Sequence, residues 1–124
     1  MDRKTANTGD FAHLPIPMQI REVRRIAEKY GIDLSDVKIV IDRDVEKLKD
    51  TFPWTGGADY FSIGRINLYP KAFISEEEVG RTIVHEKAHV QQFKEYGTVY
   101  VQENKDFFED EAQKLEDERF GERK

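Results

Sequence analysis

The sequence contains no cysteine. Disulfides are therefore excluded, and so is any thiolate metal site; a metal held by this chain has only His, Asp, Glu and water to draw on. Histidine is scarce too, with three in 124 residues, so two of them at a meaningful spacing stand out. Long apolar runs are missing. Nothing approaches the run of about 18 residues that a membrane span needs, and no span is expected. The first residues lack the apolar core of a signal peptide, because Asp2, Arg3, Lys4 and Asn7 stand where it would lie. Clusters of Lys and Arg are missing as well. With a net charge of −5 and acid gathered after residue 103, phosphate binding is disfavoured and nucleic acid is not expected as a partner.

What is present suits one small soluble domain. Hydrophobic residues make up 38% and charged residues 36%, enough for a modest core under a heavily charged surface. Residues 1–14 are expected as a flexible arm and 15–124 as a single domain. His13-Leu14-Pro15-Ile16-Pro17 reads as extended, since a residue before proline is pushed out of the helical region. A helix is predicted over Met18–Tyr30, where Ile20, Val23, Ile26, Ala27 and Tyr30 recur at three- and four-residue steps and Gly31 supplies a stop. The β-branched run Val37–Ile41 reads as a buried strand, and Asp44–Asp50 as a short helix. Thr51–Asp59, with Pro53, Gly56 and Gly57, reads as a loop; Tyr60–Ile63 and Arg65–Leu68 read as strand segments hinged at Gly64. Ser75 and Glu78 then form a capping box, with Glu76 and Glu77 at the positive end of a helix predicted to run to Tyr96 and stop at Gly97. A last helix is predicted over Lys105–Phe120, with Phe108, Ala112 and Leu115 along one stripe. The whole predicts an α+β fold: a small curled sheet, a long central helix and a C-terminal helix.

The chemistry sits in that central helix. Residues 85–89 read His-Glu-Lys-Ala-His. At about 100° per residue, His85 and His89 lie about 40° apart and one turn along, so both imidazoles can reach one zinc ion. Glu86 lies about 100° from His85, close enough to touch a water on the metal without binding the metal itself. Zinc lowers the pKa of such a water towards ~7, and Glu86 can accept its proton as a general base. By helical angle Lys87 projects away from the metal face.

A catalytic zinc wants three protein ligands and one open position. With no cysteine and only His13 left over, a carboxylate of the last helix is expected as the third: Glu109, Asp110, Glu111 or Glu116. Asp110 points away from the Phe108–Ala112–Leu115 stripe. Glu109 and Glu111 flank the stripe on opposite sides, and periodicity does not choose between them.

His85-Glu86-Lys87-Ala88-His89 followed by Glu109-Asp110-Glu111-Ala112 resembles the gluzincin metallopeptidases, whose third ligand is the glutamate of a Glu-x-x-Ala or Glu-x-x-Ser sequence on a later helix. The resemblance covers about residues 60–116 and implies Glu109, paired with Ala112, as that ligand. It implies a zinc-dependent hydrolase of peptide bonds with a zincin-like fold, and an edge strand, here Phe61–Leu68, on which an extended substrate could pair. Arg65–Pro70 through Gln91-Gln92 also resembles metallopeptidase toxin domains of bacterial polymorphic toxins. That likeness implies the catalytic tip of a larger secreted protein that acts in a target-cell cytoplasm, and a cognate immunity or inhibitor protein as partner. Arg65, Tyr69, Tyr96, Tyr100 and His13 are candidates to stabilise an oxyanion, and Trp54 to shape a pocket or anchor its glycine-rich loop; none is singled out.

Overall fold

The structure, a computed structural model, describes residues 6–123. Helix α1 (Ile20–Lys29) buries Val23 and Ile26 completely and ends where Gly31 takes a φ of +68°, a left-handed conformation that a side chain disfavours. Strand β1 (Lys38–Ile41) follows, then a turn of 3₁₀ helix over Val45–Leu48, β2 (Gly56–Ala58) and β3 (Arg65–Leu68). A further 3₁₀ segment, Pro70–Ile74, leads into α2 (Glu76–Tyr96), α3 (Thr98–Glu103) and α4 (Lys105–Phe120). The fold is α+β, as expected, with an open three-stranded sheet in the order β1–β3–β2.

Strand β3 lies in the centre, parallel to β1 and antiparallel to β2. This corrects the expectation of an edge strand over Phe61–Leu68. Ile66 and Leu68 are fully buried, which explains their alternation; the free edge beside α2 belongs to β2, inside a segment expected as loop. Tyr60–Ile63 is likewise a turn and not a strand. The Asp59 carboxylate accepts the backbone N–H groups of Phe61 (2.7 Å) and Ser62 (3.0 Å), and Gly64 completes the reversal with a φ of +98°. Gly56 serves close approach instead of turning: a Cβ there would lie 2.5 Å from Thr82 Cγ2 and 2.7 Å from the Asn67 carbonyl oxygen. Its absence lets β2 lie against α2.

Helix α2 begins as its sequence requires, with Ser75 Oγ accepting the Glu78 N–H at 3.0 Å. The reciprocal half of the capping box is not made, because the Glu78 carboxylate is taken by Arg123 at 2.8 and 2.9 Å. Glu76 instead staples α2 to α1 through Arg25 (2.6 Å) and Lys29 (2.9 Å). The main core lies between α1, the sheet and α2, where Val23, Ile26, Ile66, Leu68, Phe73, Val79 and Ile83 are all fully buried. Each such side chain contributes about 1.5–3 kcal/mol on leaving water. A smaller cluster of Phe93, Val101 and Phe108 closes the far end, where α3, unexpected from the sequence, turns the chain into α4.

Two more expectations change. Leu115, assigned to the apolar stripe of α4, is 43% exposed, and Glu116 is buried beside Phe108 and Ala112 in its place. Of the arm expected over 1–14, residues 1–5 lie outside the described residues, and Asn7–Leu14 packs onto the domain. The Asn7 side chain accepts the Met18 N–H (2.8 Å) and donates to the carbonyls of Leu14 (3.0 Å) and Ile16 (2.7 Å), with Leu14 buried in the core. Among the described residues no helix is long and apolar enough to cross a membrane.

Candidate metal centre

The third and fourth turns of α2 carry His85 and His89 on one face, their rings 5.1 Å apart. Glu109, on the first turns of α4, reaches between them: its Oε1 lies 2.7 Å from His85 Nε2 and its Oε2 2.9 Å from His89 Nε2. Ligand atoms from all three residues lie within 4.8 Å of one another, as binding a single ion requires. Glu111 stays outside the group and accepts from Gln92 Nε2 at 3.1 Å; Asp110 and His13 are exposed and also lie outside it. Lys87 projects the other way, donating to the Asp33 carbonyl and pairing with Asp36 at 3.3 Å.

The electrostatics fit a cation. Burial by itself disfavours the charged form of His85, yet hydrogen bonds to Glu109 and Glu116 and the field of Glu86 outweigh it and push its pKa up to about 10. Burial opposes charge on His89 as well, and Glu109 again reverses the sign, leaving its pKa raised. Hydrogen bonds to His85 and then His89 hold the Glu109 carboxyl well below the usual carboxylate range. Glu86 goes the opposite way: burial raises its pKa against the pull of the two histidines and a backbone hydrogen bond at Ala58. Two nitrogens and a carboxylate that together favour positive charge form a donor set suited to a hard or borderline divalent ion.

Both histidines are also held from behind. His85 Nδ1 lies 3.2 Å from Glu116 Oε1, and Glu116 Oε2 accepts from Arg81 at 2.9 Å. His89 Nδ1 lies 2.8 Å from Gln92 Oε1, and the Gln92 amide donates to the Phe108 carbonyl at 3.0 Å. Among the described residues no buried side-chain nitrogen or oxygen lacks a hydrogen-bond partner. Sequence reasoning gave neither Gln92 nor Arg81 a role at the site, and weighed Glu116 only as a ligand. The available pointer was spacing: Gln92 and Arg81 stand three and four residues from a histidine, and Glu116 stands seven from Glu109, on the same face of α4.

Glu86 lines two cavities. The larger, of about 440 Å³, is walled by Trp54, Tyr60, Tyr69, Phe93 and Phe108 and floored by Glu86, His89 and Glu109. The smaller, of about 150 Å³ on the His85 side, has Trp54, Thr82, Gln113, Glu116 and Arg123 on its walls. Of the candidates for an oxyanion role, Tyr69 alone lines either cavity; Arg65 turns to Asn67 and Asp59, and Tyr96 stacks on Tyr100 at 5.8 Å. Trp54 stands at the mouth of the larger cavity, 59% exposed, with its ring 5.2 Å from that of Phe52.

Fold and site together define a small α+β domain with a His-His-Glu group that could hold a metal ion. No protein-family model, curated protein or solved structure matches the chain.

Proposed function

We propose that the chain is a zinc-dependent metallopeptidase, in which His85, His89 and Glu109 hold the metal and Glu86 is the general base. The observation that carries the reading is the pairing of a three-donor group with a carboxylate outside it: Glu86 follows His85 directly, is not one of the converging donors, and lines both cavities. A purely structural site has no use for such a base and closes its fourth position with protein, whereas a catalytic one leaves it open. Two imidazoles and one carboxylate with a fourth position left open are a donor set that catalytic zinc sites use.

Bound zinc would supply Lewis acidity, bringing the pKa of water towards ~7. The protein's own part is proton handling and positioning. A Glu86 carboxylate oxygen takes a proton from water as the water oxygen bonds to the peptide carbonyl carbon. The same group then delivers that proton to the amine nitrogen as the C–N bond breaks. Burial suits it to both steps, because a raised pKa makes the carboxylate a better base and keeps the proton within reach of transfer. The larger, aromatic cavity beside Glu86 favours a bulky apolar side chain next to the scissile bond.

The test is zinc content after dialysis together with cleavage of a diverse peptide mixture. Wild type and Glu86→Gln should both carry one zinc, and the variant should lose cleavage by about 10²–10⁴-fold. Equal cleavage by a zinc-loaded Glu86→Gln would refute the role of the base. The likeness to toxin domains supports a biological setting in a secreted toxin neutralised by a cognate inhibitor. Expression in a bacterial cytoplasm checks it: wild type should arrest growth and Glu86→Gln should not.

A further inference from the structure

We propose that Glu116 is a positioning residue for metal binding: it fixes the ring orientation and tautomer of His85, and so sets the metal affinity of the His85–His89–Glu109 group. The proposal rests on the reading of that group as a metal site.

Glu116 lies seven residues beyond Glu109, two turns along α4 and only about 20° around it. One helix thus presents both the carboxylate that closes the metal group and a second carboxylate behind it. The place is unfavourable for charge. Glu116 is 2% exposed in the α2–α4 interface, while its neighbour Leu115 is left 43% exposed. An apolar pair in place of both Glu116 and Arg81 would satisfy that interface at lower desolvation cost, so their pairing does not by itself explain a glutamate there.

The division of its oxygens points to the role. Arg81 (2.9 Å) and Arg123 (3.3 Å) both approach Oε2, leaving Oε1 to His85 Nδ1 at 3.2 Å. An ionised carboxylate can only accept, so the Nδ1 position of His85 must carry a proton. Its Nε2, 2.7 Å from the Glu109 carboxylate, carries a proton in the metal-free chain for the same reason, and is the nitrogen that a metal would take in place of that proton. Carboxylate contact also makes the imidazole more basic and a stronger ligand. His89 is held differently, by the neutral Gln92 amide at 2.8 Å. The two histidines are therefore inequivalent, and the charged support belongs to His85. Arg81, one turn before His85 on α2, holds Glu116 from the side opposite the ring, so Arg81, Glu116 and His85 form a closed bridge between the two ligand-bearing helices.

The experiment compares full-length wild type, Glu116→Gln and Glu116→Asp by three measurements. These are zinc affinity by competition with a chromophoric chelator, urea unfolding of the metal-free protein, and the imidazole ¹H–¹⁵N spectrum of the zinc-loaded protein. Glu116→Gln should weaken zinc binding by about 10- to 100-fold. The Nδ1–H resonance of His85 should shift or broaden away, while that of His89 stays in place. Glu116→Asp keeps the charge facing Arg81 and so keeps the fold, but withdraws the carboxylate by about one bond, ~1.5 Å, and should weaken zinc binding in the same direction. It decides the question should Glu116→Gln not fold. A folded variant with wild-type zinc affinity and an unchanged His85 Nδ1–H signal overturns the proposal, as does a loss confined to metal-free stability. Failure of the wild type itself to bind zinc overturns the metal reading, and this proposal with it.

Discussion

Replacing Glu109 by alanine should strip zinc from the chain, whereas the same change at Glu111 should barely matter. The two residues stand one turn-half apart on α4, yet the structure gives them different work. Glu109 presents one oxygen to each histidine, at 2.7 and 2.9 Å. The Glu111 carboxylate accepts from Gln92 at 3.1 Å, and Gln92 keeps its bond to the Phe108 carbonyl without it. Structural zinc sites of four ligands bind with about 10–16 kcal/mol, so one ligand is worth about 3 kcal/mol, or roughly a hundredfold or more in affinity. Loss of Glu111 removes one partly exposed hydrogen bond two contacts from the metal, worth about 1 kcal/mol or less, under roughly fivefold. Chelator competition on dialysed protein measures both, and circular dichroism checks that each variant is folded. Glu109 is 49% exposed and outside the core, so its loss should leave the metal-free fold intact. Zinc retained by Glu109→Ala and lost by Glu111→Ala would refute the assignment.

Gly56→Ala should lower stability by about 1–3 kcal/mol in urea unfolding, because the added methyl meets both Thr82 on α2 and the backbone of β3 and must push β2 outward. Phe73→Ala removes one of the largest fully buried side chains and should cost about 3–5 kcal/mol by the same measurement. Lys29 and then Arg25 hold the Glu76 carboxyl down from 4.5 to about 2. A depressed folded-state pKa means that this staple's contribution is fully present above about pH 4.5 and is lost as pH falls through about 2. The stability difference between wild type and Glu76→Gln should be at most about 1 kcal/mol near pH 6, given the exposure of the pair, and should vanish near pH 2.

Local rules made the helices legible. The steps of Ile20, Val23, Ile26 and Ala27, the Ser75 cap and the stops at Gly31 and Gly97 depend on neighbours a few residues away, and α1, α2 and α4 lie close to where those rules put them. The pairing of His85 with His89 was legible for the same reason, since helical spacing alone brings their rings to one face. The sheet was not. A run of Ile and Leu at alternate positions announces burial, but whether Arg65–Leu68 is central or at an edge depends on which strands arrive beside it. Gly56 looks like a turn residue until α2 is packed against it, when the missing side chain proves to be a matter of clearance. The choice of Glu109 over Glu111 and the burial of Glu116 over Leu115 are of this second kind. Residues adjacent along α4 differ by about 100° around its axis, and only the rotation of α4 against α2 decides which carboxylate meets Nε2 and which is set behind Nδ1.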